Sequence, residues 1–397
     1  MAPEQHKVRA AWWGTVVLFL VHGLVFSTWV SRIPAIQTEL KLNNGVLGLT
    51  LLSAAVGAVA TIPLAGWLVT RYGSKPISIA GGILFSLSIV PLSLSINAAT
   101  LALALLFYGA IAATMDVAMN AQGVEVEREL ARSTMSRFHA MFSTGGMAGA
   151  AIGGVIAEAG IRPVAHFAVS AAINLIAVVL VSRLLLQTHT PVAARIQRPA
   201  FRSMPLTLIS ISAIGFFSLL AEGAMADWTT VYFRQVLQAS SGIAAFAYSV
   251  FSAAMAIFRF LGDWVIARLG SRVALRSASL LAAAGLAYGL FMHSPVWALP
   301  GFAATGAGFS VIIPIVYGSG GRIEGVSPGA GIATITGIAY IGFIVGPPAI
   351  GFASQIFTLR YALLIVVGCC LMAALLSRSI CPTLPNTKAA ASLEIHL

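Results

Sequence analysis

Asp116 and Asn120 are the first residues whose types and spacing point to chemistry. They lie four positions apart in GAIAATMDVAMNAQGVEVE (109–127), on one face of a helix, inside a run that is otherwise apolar. A carboxylate in such a run is costly unless it faces other protein or water, which makes Asp116 a proton-coupling or substrate group by default; the alternative is a hydrogen-bonded Asp that ties helices together. Two further runs carry polar groups at mid-depth: His22-Gly23 with Trp29 beyond it, and Glu222-Gly223 with Asp227-Trp228 beyond it. A small polar solute needs convergent hydrogen bonders and an aromatic platform. The expected substrate-binding set is therefore His22, Trp29, Asn120, Glu222, Trp228 and Tyr340, with Asp116 and Glu222 as proton-coupling carboxylates. For the two tryptophans a place in the interfacial aromatic belt is an equal alternative. No P-loop, metal-ligand spacing or nucleophile elbow is present, so the chain does not read as an enzyme. No cofactor is expected; a proton gradient would supply the energy.

The elements that hold these residues follow from composition. The 397 residues are 58% hydrophobic and 9% charged, with mean hydropathy +0.93, against about 25% charged in a soluble domain. Twelve apolar runs recur near 12–31, 45–69, 76–95, 98–121, 138–158, 163–186, 204–233, 241–268, 273–292, 295–319, 328–353 and 358–380. Each is long enough to cross a hydrocarbon core of about 30 Å as a helix. The expected fold class is an all-α membrane protein of twelve transmembrane helices, with the lipid bilayer as a partner and a monomer as its state.

A net charge of +11 raises nucleic acid as a partner, but its distribution argues against that. With the N-terminus cytoplasmic, 17 of the 23 Lys and Arg fall on the cytoplasmic side and 5 in outer loops, while Arg259 lies within a helix. The positive-inside rule then puts both termini in the cytoplasm. Cys369, Cys370 and Cys381 lack the spacing of a disulfide framework or zinc site. Lys7 and Arg9 resemble the start of a signal peptide, yet the run that follows is long and lacks a small-residue cleavage site, so it is read as a retained helix 1.

The chain repeats itself at about 197 residues. RYGSK (71–75) after helix 2 matches RLGSR (268–272) after helix 8, and Gly145, Gly149 and Gly154 match Gly342, Gly346 and Gly351. Such self-similarity marks two homologous six-helix halves, 1–186 and 204–397, joined by a polar linker at 187–203. The glycines permit close helix packing, gating, or both. Gly346 and Pro347, followed by Pro348, are expected to break or bend helix 11 as a gating element.

GWLVTRYGSK (66–75) resembles the loop 2–3 signature of the major facilitator superfamily, G-x-L-x-D-R-x-G-R-K, and the resemblance extends to the twelve helices and the 6+6 repeat. It implies gating roles for Arg71 and Lys75. Thr70 departs from the pattern where the family has Asp; Arg259 and Asp263, spaced i, i+4, are the expected substitutes for that charge relay, or a structural pair. DVAMNAQ (116–122), RFHAMFS (137–143) and AEGAMADW (221–228) look like a bacterial branch near the fucose-permease-like sugar/proton symporters, which implies the bacterial inner membrane. That neighbourhood uses a carboxylate on helix 4, matched by Asp116, and an Asp on helix 1, where this chain offers His22. Asp227 is assigned to the outer gate, with Arg32 or Arg234 as partner. Two functions remain open: a proton-coupled importer of a sugar, polyol or amino-polyol, and a proton antiporter exporting drugs or metabolites. The helix 5 glycines loosely resemble an antiporter motif with Ala150 in place of its proline.

Overall fold

The computed structural model describes residues 3–132, 134–187 and 204–382; the expected linker at 187–203 lies outside them from residue 188 on. Among the described residues there are twelve helices long and apolar enough to cross a membrane, and no strand. They are α1 (Pro3–Glu39), α2 (Asn44–Tyr72), α3 (Ser74–Ser93), α4 (Ala98–Leu130), α5 (Met135–Glu158), α6 (Pro163–Val181), α7 (Leu206–Gln235), α8 (Ser241–Leu269), α9 (Ser271–Phe291), α10 (Pro295–Gly320), α11 (Pro328–Ile356) and α12 (Leu359–Ser379). The chain is thus a multi-pass integral membrane protein. Helix α6 shows the sidedness this requires: Val169, Ile173, Ile176 and Leu180 form an exposed apolar stripe facing lipid, while His166, Phe167, Asn174 and Val178 are buried.

Helix α11 runs without interruption through Pro347 and Pro348, so of the expected break or bend the break is absent. Each proline removes one rung of the hydrogen-bond ladder, and a membrane helix tolerates that where neighbouring helices cover the freed carbonyls. Gly346 and Pro347 are both buried, and Gly346 lies against Leu220 of α7.

The helices form two compact units. Unit 1 comprises Met1–Ala193 and Asp227–Ala253; unit 2 comprises Ala194–Ala226 and Ala254–Leu397. In unit 1, α1 packs on α5 and α6, α4 on α2 and α3, and α3 on α6. The α1–α5 contact depends on glycine: a Cβ at Gly23 would fall on the Phe142 carbonyl oxygen, and one at Gly145 on the Leu20 carbonyl oxygen. Unit 2 repeats this between α7 and α11, where a Cβ at Gly342 would meet the Phe216 carbonyl oxygen.

The repeated turns build the same clamp twice. Gly73 (φ 87°, ψ 158°) and Gly270 (φ 74°, ψ 154°) hold a backbone conformation open almost only to glycine, which swings the next helix start toward the end of the unit's last helix. Lys75 Nζ then donates to the Leu185 carbonyl at 3.0 Å, and Arg272 Nη2 to the Ile380 carbonyl at 3.3 Å. Gln122 adds a bond to the Leu186 carbonyl (2.7 Å) and Ser271 one to the Cys381 carbonyl (3.0 Å). These carbonyls lie in the segments just after α6 and α12, outside either helix's own hydrogen-bond ladder. Lys75→Met should therefore destabilise by about 1 kcal/mol, seen as a small fall in unfolding temperature and faster amide exchange confined to residues 184–187.

Candidate functional site

The α4 helix sets Asp116 and Asn120 one turn apart, and Asn120 Nδ2 donates to the Asp116 main-chain oxygen (2.8 Å) and to its Oδ1 (3.1 Å). From α1, His22 Nε2 reaches the Ala112 carbonyl at 3.3 Å, one turn before Asp116, and the ring lies in electrostatic range of that carboxylate. A carbonyl only accepts, so in the neutral ring Nε2 carries the hydrogen and Nδ1 is a buried acceptor with no partner. Aromatic rings fix the imidazole: Phe85 of α3 stacks on it at 4.8 Å and 26°, and Phe142 of α5 leans on it at 5.5 Å and 42°. Three of the expected residues, on two helices, thus form one cluster within unit 1. It can exchange a proton at Asp116 or His22 and hydrogen-bond a hydroxyl through Asn120 or Nδ1.

Unit 2 carries a second cluster, one helical turn further along. Leu20 and Leu24 of α1 meet Gly145 as Phe216 and Leu220 of α7 meet Gly342, so Glu222 and Gly223 fall one turn beyond the place of His22 and Gly23, and Gly223 faces the ring of Phe343 on α11. Tyr340 lies beside that ring, 5.9 Å between centroids. Arg259 on α8 forms a salt bridge to Glu222, Nη2 to Oε1 at 3.4 Å, both side chains largely buried. Arg259 thus has a partner that spacing does not indicate, Glu222, 37 residues away; Asp263 is exposed on α8.

Trp29 is 3% exposed and Trp228 0%, so neither belongs to the interfacial belt; Trp13, Trp67 and Trp297 are the exposed tryptophans. Both buried tryptophans lie in unit 1, where Thr230 of α7 donates to the Val30 carbonyl of α1 at 3.1 Å. Asp227 does not take the partners expected for it. Arg32 donates to the Ile161 carbonyl and Arg234 to the Ala239 carbonyl, while Asp227 lies in electrostatic range of Tyr108 on α4. Three neutral amides tie this end of α7 down instead. Gln37 donates to Asn44 (2.8 Å), Asn44 to Gln235 (3.1 Å) and Gln235 back to Gln37 (3.0 Å), a closed ring.

Of the loop residues, Arg71 is exposed and Lys75 is the helix-end donor described above. Thr70 returns its hydroxyl to the Gly66 carbonyl at 2.8 Å within its own helix, so this position supplies no relay charge. Sequence reasoning missed Phe85, Phe142 and Tyr108, whose ring leans on Phe85 at 5.0 Å and 42°. An aromatic in an apolar run carries no signal of which neighbour it will face.

Residues 14–322 match the family model described as Major Facilitator Superfamily. An uncharacterized MFS-type transporter of Yersinia pestis is 32% identical over 348 residues, covering 88% of this chain and 90% of that protein. A bacterial homologue of the human lysosomal transporter Spinster, solved inward-facing and occupied, superposes with TM-score 0.73 at 14% identity, covering 95% of this chain and 97% of that one. A variant of the E. coli fucose:proton symporter gives TM-score 0.61 at 18% identity, covering 92% and 97%. At these identities the two structures share the fold.

Proposed function

The chain belongs to the major facilitator superfamily and is a secondary transporter, and on that premise we propose that it moves a small polar solute, a sugar, polyol or amino-polyol, by alternating access in symport with protons. The observation that carries this reading is the Asp116–Asn120–His22 cluster, a carboxylate with amide and imidazole neighbours. Asp116 is therefore the proposed proton carrier. Glu222, the other carboxylate assigned that role, is held by Arg259. The same pairing favours a neutral solute, because a lipophilic cation needs an acidic group whose charge is not already balanced. The likeness in fold to a fucose:proton symporter is in keeping with this reading. The distribution of Lys and Arg supports the inner membrane with both termini cytoplasmic.

The test is a thermal-shift screen of the purified protein against sugars, polyols, amino-sugars and lipophilic cations, since a specific ligand stabilises by mass action. A sugar or polyol is expected to raise the unfolding temperature, and Glu222→Gln, which keeps an acceptor for Arg259, to weaken its binding about three- to tenfold. Stabilisation by lipophilic cations alone, abolished in Glu222→Gln, would replace this reading with the exporter.

A further inference from the structure

Arg32 is 3% exposed, yet the Ile161 carbonyl is its one acceptor; Nε and Nη1 are buried with no partner. His166 of α6, 4% exposed, is in electrostatic range of Arg32, and its Nδ1 is likewise buried with no partner. Both belong to unit 1, at the corner where α1, α5 and α6 meet. Gly153 of α5 closes this corner: a Cβ there would stand 3.3 Å from His166 Cε1 and would strike Ser31 Oγ.

The start of α6 adds to the positive character. Ile161, which holds Arg32, precedes the N-cap Arg162, and no side chain caps the helix. Free N–H groups and the positive end of the helix dipole therefore sit beside the guanidinium. The nearest carboxylate on α5, Glu158, is committed elsewhere: its Oε2 accepts from Gly242 N at 2.7 Å, and Arg234 is the cation near it. A buried guanidinium with two bare nitrogens is costly, and a chain that keeps one ordinarily supplies an acid to meet it. Among the described residues no acid is supplied.

We propose that Arg32, His166 and the first turn of α6 bind a small monovalent anion, a carboxylate or a halide. The anion takes hydrogen bonds from the free guanidinium nitrogens and the uncapped helix start. A carboxylate would arrive as part of a transported solute, a halide from the medium.

The test uses full-length protein in nanodiscs of zwitterionic lipid, with sodium HEPES as the bulky anion, replaced stepwise at constant ionic strength by chloride or, separately, by acetate. The unfolding temperature of the wild type should rise saturably by several degrees with at least one of the two. Arg32→Gln, which keeps a donor for Ile161, should show no response, and His166→Gln should raise the half-saturating concentration at least threefold. A response to chloride alone identifies a halide from the medium; a response to acetate alone identifies a carboxylate. Indifference of the wild type to both anions overturns the site, as does a wild-type response in Arg32→Gln. Should Arg32→Gln fail to yield monodisperse protein, an unchanged half-saturation in His166→Gln overturns it.

Discussion

Asp116→Asn is expected to reduce accumulation driven by a pH gradient to the level of vesicles lacking the protein, while exchange of labelled for unlabelled solute continues. An amide keeps the size of the side chain and an acceptor for Asn120 Nδ2, which now bonds Oδ1 at 3.1 Å, but it cannot pick up and release a proton. The two readings of Asp116 therefore separate. If it couples transport to protons, the uphill mode is lost and the downhill mode stays. If it only ties helices together, the amide does so as well, and accumulation with an unchanged pH dependence would return Asp116 to a structural role. Proteoliposomes with an imposed pH gradient and the solute found by thermal shift provide the measurement.

The second large effect is expected at Gly23. A methyl group there would fall on the Phe142 carbonyl oxygen and press on Gly146 N, both backbone atoms that cannot rotate away. Gly23→Ala must force α1 from α5, at a cost of about 1–3 kcal/mol for overpacking. Because the preceding residue is His22, the same displacement pulls the imidazole from Phe142 and from the Ala112 carbonyl. A fall of several degrees in unfolding temperature together with loss of transport is expected. Gly223→Ala, on α7, meets only the ring of Phe343 at 2.7 Å, a side chain free to turn, and should cost less. Gly66→Ala meets nothing within 4 Å and serves as the neutral control. Equal behaviour of all three variants would show that close packing of α1 on α5 does not position His22.

The fold was legible because its signals are local. Run length and hydropathy locate helices in a bilayer without any knowledge of what packs where, and the turns at 71–75 and 268–272 announce the repeat. The pairing of Asp116 with Asn120 was legible for the same reason, since i, i+4 spacing fixes both on one face. That rule was incomplete at Arg259. It singled out Asp263, whereas the partner Glu222 lies on another helix and has no spacing to betray it. Arg32 and Arg234 escaped similarly: main-chain carbonyls take them, and every residue has one of those. The burial of Trp29 and Trp228 depends on how helices rotate against one another, which hydropathy does not encode. At Pro347 and Pro348 the local rule offered a break or a bend, and the helix continues through both prolines.

The ring formed by Gln37, Asn44 and Gln235 has a property that an ion pair in its place would lack. Within the circuit each amide donates once and accepts once, so it closes only when all three share one sense, and turning any one of them sets donor against donor and oxygen against oxygen. None of the three carries a charge. The fastening is therefore blind to ionic strength, which screens exposed charges within about 10 Å at 0.1 M salt, and it holds equally in acid and alkaline medium. A protein proposed to live on a proton gradient thus joins α7 to α1 and α2 with a contact that the gradient cannot loosen.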